Sequence, residues 1–139
     1  MNTKDGCIFC KIVSGEIPSV KVYEDSAVLA FMDIGPISDG HTLVIPKEHV
    51  EKIHQCSSEL MARVSQAIVK IANAVSKAIP SDGYNILCNN GRSAGQLVDH
   101  VHFHIIPRNT SDGVFDRWPA YEYPQGKAQK LAEEIKEYL

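Results

Sequence analysis

Apolar positions along this chain recur in two ways, as short strand-like runs and as longer stretches with three- and four-residue steps. Val20–Glu24 and Val28–Met32 read as strands, and the Asp25-Ser26 turn between them predicts a hairpin. His41–Ile45 reads as a third strand, stopped by Pro46 because proline cannot donate to a ladder. Ser57 is placed as a helix N-cap, with Glu59 in the first turn. Leu60, Val64, Ile68, Ile71, Val75 and Ile79 then recur until Pro80, which predicts an amphipathic helix of about six turns. Tyr84–Cys88 and His100–Ile106 complete the set of strands. Cys7–Ser14 reads as a short helix or turn ended by Gly15. Lys127–Leu139, with Ala128, Leu131, Ile135 and Tyr138 on one side, reads as a terminal helix. Five strands with helices outside the strand run predict an α+β fold with a largely antiparallel sheet. No repeat or linker divides the 139 residues, so a single domain over 1–139 is expected, with 109–139 as its C-terminal extension.

Composition narrows the class without naming a chemistry. An apolar share of 44% suits a globular core, and a net charge of −3 with mixed signs argues against a nucleic-acid surface. No run is long enough to cross a bilayer, and the polar start Met1-Asn2-Thr3-Lys4-Asp5 is unlike a signal peptide. Four cysteines in that setting predict a cytoplasmic protein with reduced thiols.

The chemistry concentrates in His100-Val101-His102-Phe103-His104, which holds three of the six histidines at alternate positions. On a strand, the three imidazoles share one face while Val101, Phe103 and Ile105 line the other. Neighbours on that face stand about 6.6 Å apart, so His100 and His104 are about 13 Å apart. One metal cannot take all three, and a simple solvated face is the bland alternative. The preceding loop, Asn89–Gln96, carries Gly91 and Gly95, which let backbone N–H groups approach an anion. Beside a histidine row that loop points to phosphate, because a neutral imidazole is a good nucleophile toward phosphorus. Cys7-x-x-Cys10 leaves zinc binding, redox work and coincidence open. Cys56 and Cys88 read as ordinary buried or half-buried thiols.

His100–Ile106, with Asn89, Ala94, Gln96 and Val98 upstream, resembles the signature of the histidine triad (HIT) superfamily. Leu29–Ile34 and Gly40–His49 extend the likeness, which covers roughly residues 7–108 and is nearest to the Hint-like branch with its small bacterial-type Hit members. The resemblance implies a five-stranded antiparallel sheet with one long helix packed on it and short N- and C-terminal helices. It also implies a homodimer whose sheets continue across a two-fold axis.

Its implied activity is cleavage of nucleoside 5′-phosphate derivatives of the phosphoramidate type, with a purine base, through a covalent nucleotidyl-histidine. A diadenosine polyphosphate hydrolase, or a zinc-stapled nucleotide-binding scaffold with incidental turnover, are the alternatives. By position, His102 is implied as the nucleophile, His104 as donor to a phosphoryl oxygen or leaving group, and His41 as the residue backing them. Asp33 is implied at the ribose hydroxyls. Ile8, Phe9, Ile12, Phe31, Ile34 and Leu43 are implied at the base, and Asn89, Gly95, Gln96 and Val98 around the phosphates. Leu97 departs from the pattern, standing where Hint-type enzymes commonly carry a phosphate-contacting serine. Some members hold a structural zinc through residues matching Cys7, Cys10, His49 and His100, which would free His102 and His104 for phosphate.

Overall fold

Asp25 closes the first hairpin with its own side chain. Its Oδ1 accepts from the N–H groups of Ala27 and Val28, both at 2.8 Å, and its Oδ2 accepts the Tyr23 hydroxyl at 2.7 Å. In this computed structural model, which describes residues 2–139, that hairpin begins a five-stranded antiparallel sheet. The strands are β1 (Lys21–Glu24), β2 (Val28–Met32), β3 (Thr42–Pro46), β4 (Gly83–Leu87) and β5 (Phe103–Arg108), in spatial order β1-β2-β3-β5-β4. The helices are α1 (Ile8–Val13), α2 (Ser58–Ala78) and α3 (Lys127–Lys136). The expected α+β architecture is therefore the observed one.

Alternation assigns the two faces of the sheet. Val28, Ala30, Val44, Phe103 and Ile105 point to one side and pack under Leu60, Val64, Ala67, Ile71 and Val75 of α2. Ser57 caps that helix by accepting the Leu60 N–H at 3.1 Å, and Lys77 lies in the last turn. Leu29, Phe31, Leu43 and Ile45 point to the other side and pack against Phe9 and Ile12 of α1. That second face also receives the catalytic candidates, since His104 pairs with Leu43 across the β3–β5 ladder.

The histidine strand starts later than its pattern predicts. β5 begins at Phe103, so His100 lies in a bend and Val101 and His102 lead into the strand outside the ladder. The ladder stops because β3 ends in Pro46, which has no N–H to offer, and whose carbonyl accepts from the His100 ring at 2.8 Å. Val101 instead donates to the Val50 carbonyl at 2.7 Å. The alternation nevertheless survives, with Val101 in the α2 core and His102 facing the α1 side.

Beyond β5, Arg108 grips the Asp112 carboxylate through two N–H donors at 2.8 Å, which turns the chain away from the sheet. The segment from there to α3 is without strands, and α3 buries no side chain. Among the described residues, no helix is long and apolar enough to cross a membrane.

Candidate active site

A cleft of about 310 Å³ opens on the α1 face of the sheet. One wall is apolar, from Ile8, Phe9 and Ile12 of α1 together with Phe31 and Leu43. The opposite end is chemical, with Asp33, His102, His104, Gly95 and Val98. Clefts of this kind, mostly apolar with a few convergent polar groups, suit a small ligand with an aromatic part and a charged part.

The hydrogen bonds determine where each histidine carries its proton. His102 Nδ1 lies 2.7 Å from the His100 carbonyl, which can only accept, so Nδ1 is protonated and Nε2 keeps a lone pair. The Ile37 N–H donates to His41 Nδ1 at 3.1 Å, so the proton of His41 sits on Nε2. That Nε2–H faces His104 Nδ1 at 2.9 Å, which forces the His104 proton onto its own Nε2. The buried His104 Nε2–H has no acceptor among the described residues. A nucleophilic nitrogen and an unpaired donor thus stand on adjacent rings with centroids 5.0 Å apart.

Burial keeps these rings neutral. It lowers the pKa of His102 and of His41 below the ordinary 6.5, with Asp33 opposing in both cases. For His104 burial, with charge on His102 and His41 adding, brings it down to about 4, and burial does the same to His100. The unfolded chain therefore binds more protons than the folded one between the ordinary 6.5 and about 4. Stability is full above that window and is lost as pH falls through it. The urea midpoint of metal-free protein should drop steadily from pH 7.5 to 4, and a flat profile would contradict the neutral assignment.

Asp33 Oδ2, His41 Nε2 and His104 Nδ1 lie close enough together to suggest a metal site. Their protons argue otherwise. His41 already accepts the Ile37 N–H on Nδ1, so ligation through Nε2 would strip its only proton. His41 and His104 are instead joined by a hydrogen bond, with Asp33 Oδ2 at 3.5 Å from the same His41 Nε2.

The second cluster has the opposite character. Cys10 Sγ lies 3.4 Å from His49 Nδ1 and 3.6 Å from His100 Nδ1, while Cys7 Sγ lies 3.5 Å from His100 Nδ1. A zinc tetrahedron with Zn–S near 2.3 Å and Zn–N near 2.05 Å has S–N edges of about 3.6 Å. The far nitrogen of His100 donates to the Pro46 carbonyl, which leaves Nδ1 with its lone pair toward the sulfurs. Two sulfurs and two imidazoles with no open position suit a closed, structural zinc site, and burial pushes the Cys10 thiol up in the absence of an ion. Cys56 and Cys88 stand apart from it, both half-buried.

Most residues implied at the nucleotide come together at the cleft, though not all. Ile34 lies on the rim and is 98% exposed. His41 sits behind His104, outside the lining. Asn89 abuts Gly95, where an added Cβ would come within 3.3 Å of its amide and where φ is +93°. Gln96, implied around the phosphates, needs correction as a side-chain ligand. It is 2% exposed, its Oε1 accepts the Gly91 N–H at 2.8 Å, and its Nε2 donates to the Glu51 carbonyl at 2.7 Å. Both ends of the amide are committed to holding the glycine loop.

The cleft also takes in Ile17, Pro18, Ser19 and Met32, which the sequence does not single out. The first three belong to the loop between α1 and β1, and only the folding of that loop over the sheet makes them lining residues. Leu97 joins them, 75% exposed beside the histidines.

Comparison with known proteins places the chain's fold and family. A family model described as HIT domain matches residues 14–111. The chain is 52% identical over 130 residues to an adenosine 5′-monophosphoramidase, hnt1, of Schizosaccharomyces pombe, covering 93% of this chain and 95% of that protein. A member of the HIT family of proteins from Bacillus subtilis superposes with a TM-score of 0.92 at 45% identity, over 97% of this chain and 98% of that one. A histidine triad nucleotide-binding protein from Candida albicans does so with a TM-score of 0.83 at 41% identity, over 96% of each chain.

Proposed function

The chain belongs to the HIT domain family, and from that membership we propose that it hydrolyses nucleoside 5′-phosphoramidates, with a purine base in the apolar half of the cleft. One observation carries the reading: the lone pair of His102 Nε2 and the unpaired Nε2–H of His104 share one end of a cleft whose other end is apolar. The relatives named adenosine 5′-monophosphoramidase, in S. pombe and also in Candida albicans and Saccharomyces cerevisiae, support the substrate class.

In this mechanism His102 Nε2 attacks the α-phosphorus and the P–N bond to the amine breaks. His104 Nε2–H protonates the departing nitrogen, and its Nδ1 stays bonded to His41 Nε2–H. The His100 carbonyl stabilises the cationic ring of the nucleotidyl-histidine through its bond to Nδ1–H. Water then attacks phosphorus, its proton passes to His104 Nε2, and the P–N bond to His102 breaks to release the nucleoside monophosphate. Asp33 Oδ1 accepts the Gly35 N–H at 2.8 Å, which sets the carboxylate at the cleft edge for ribose hydroxyls. Leu97 offers no hydrogen bond to the leaving group, so an apolar amine substituent suits this rim. Mass spectrometry of acid-quenched enzyme should find a nucleotidyl group on His102 during turnover, and turnover without that adduct would exclude the covalent route.

Structural zinc on Cys7, Cys10, His49 and His100 belongs to the same proposal, as does a reducing, cytoplasmic setting. So does a homodimer, supported by the two sheet edges. β1 is short, breaks register at Val22 and carries Lys21 and Glu24, which discourages pairing. β4 at the other edge exposes Tyr84 and Ile86. Ile86→Lys should convert a dimer to a monomer by sedimentation, and an unchanged mass for both proteins would exclude pairing through this edge.

A further inference from the structure

Phe9 lies in sequence between the two cysteines and in space between the two histidine sites. Its ring meets His102 edge-on at 5.1 Å between centroids and 88°, His100 at 5.9 Å and 72°, and Phe31 at 5.5 Å and 73°. Phe9 and Ile12 are at once lining of the cleft and core of the α1 face. The element that carries them has little hold of its own. α1 is six residues long, far below the length at which a helix persists unaided. Its first turn rests on sulfur, since Cys7 Sγ caps it by accepting the Cys10 N–H at 3.4 Å. His49, on the other side of the cluster, is tied to the N-terminus by bonds of 2.6 and 3.0 Å with Asn2. The cluster also reaches the nucleophile through the chain itself, because the carbonyl that orients His102 belongs to His100.

We propose that the Cys7–Cys10–His49–His100 centre, acting through Phe9 and the His100 carbonyl, positions His102 and the base-side wall, so that metal occupancy sets nucleotide affinity. The proposal rests on the nucleotide reading above. With the four ligands drawn to one point, α1 is pinned against the sheet and the Phe9 edge fixes the plane of the His102 ring. Without that pin, buried thiols and imidazoles keep only weak S–H contacts, and the wall formed by Phe9 and Ile12 relaxes. Phe9 is a positioning residue here, and the effect falls on binding before it falls on chemistry.

The test compares zinc-loaded and metal-stripped full-length protein, with AMP as the probe and calorimetric Kd as the readout. Stripping should weaken AMP at least about tenfold, a coupling of about 1.4 kcal/mol, and blur the Nδ1-protonated 15N signature of the His102 ring. Phe9→Leu should retain one metal per chain, bind AMP about tenfold more weakly when loaded, and respond less than about twofold to stripping. If stripping unfolds the chain, cadmium replaces zinc; the larger ion lengthens every ligand bond and should shift the AMP Kd measurably. A folded stripped protein, or the cadmium form, with AMP affinity equal to the zinc form overturns the proposal. So does failure of the chain to take up metal. Loaded protein that binds no AMP would instead overturn the nucleotide reading itself.

Discussion

His102→Ala should lower kcat/KM on an adenosine 5′-phosphoramidate by at least about 10³-fold, because it removes the lone pair that attacks phosphorus in the proposed mechanism. The ring is 5% exposed, and its neighbours on the α1 face are packed, so truncation leaves a void costing about 2–3 kcal/mol. That loss is small enough for the sheet to stay folded, and a melting curve separates it from the loss of chemistry. His102→Gly with added imidazole sharpens the test. A small nucleophile entering the vacated space should restore part of the turnover and release a free nucleotidyl-imidazole. His104→Ala leaves the nucleophile in place and removes only the donor, so its loss should be smaller, about 10²-fold. Wild-type rates in His102→Ala would remove this histidine from the mechanism.

If the proposed zinc site is filled, Cys10→Ser should reduce bound zinc from one per chain to a trace and lower the thermal midpoint by about 10 °C or more. Cys10 Sγ sits within 3.6 Å of both imidazoles of the cluster, so its loss breaks two of the contacts that hold the set together. An ion held a thousandfold above its Kd stabilises the fold by about 4 kcal/mol, and each kcal/mol is worth about 3–5 °C in a domain of this size. Elemental analysis of protein purified without chelator, alongside calorimetry, checks both numbers. Equal zinc content in the variant would exclude Cys10 as a ligand.

Much of this was legible before any coordinates. The strands, α2 and its cap follow from residue spacing and hydrogen-bonding chemistry that act within a few positions of each other. The resemblance carried by His100–Ile106 and Gly40–His49 pointed to the fold that the sheet order and structural neighbours show. Strand geometry alone excluded one metal for all three histidines, while their division between zinc and phosphate was implied by the resemblance. Less legible was the start of β5 at Phe103, because it depends on Pro46 of a distant strand meeting the His100 ring. Gln96 misled for a related reason. An amide beside a glycine loop looks like a ligand until its partners, Gly91 and the carbonyl of Glu51, are seen to occupy it.

The amino-acid sequence by itself determined which side chains lie on which face, since a pleat alternates whatever surrounds it. It thereby placed His102 and His104 opposite the core formed by Val101, Phe103 and Ile105. Only the tertiary structure decided the proton position on His104, because its partner His41 lies 63 residues away, whereas His41 and His102 take their tautomers from backbone groups four and two residues along the chain. Only packing, likewise, brought Ile17, Pro18 and Ser19 to the cleft and set Phe9 between the cysteine cluster and the nucleophile. Periodicity is a local property of the backbone, whereas the proton of His104 and the cavity walls belong to contacts that form only when the chain closes on itself.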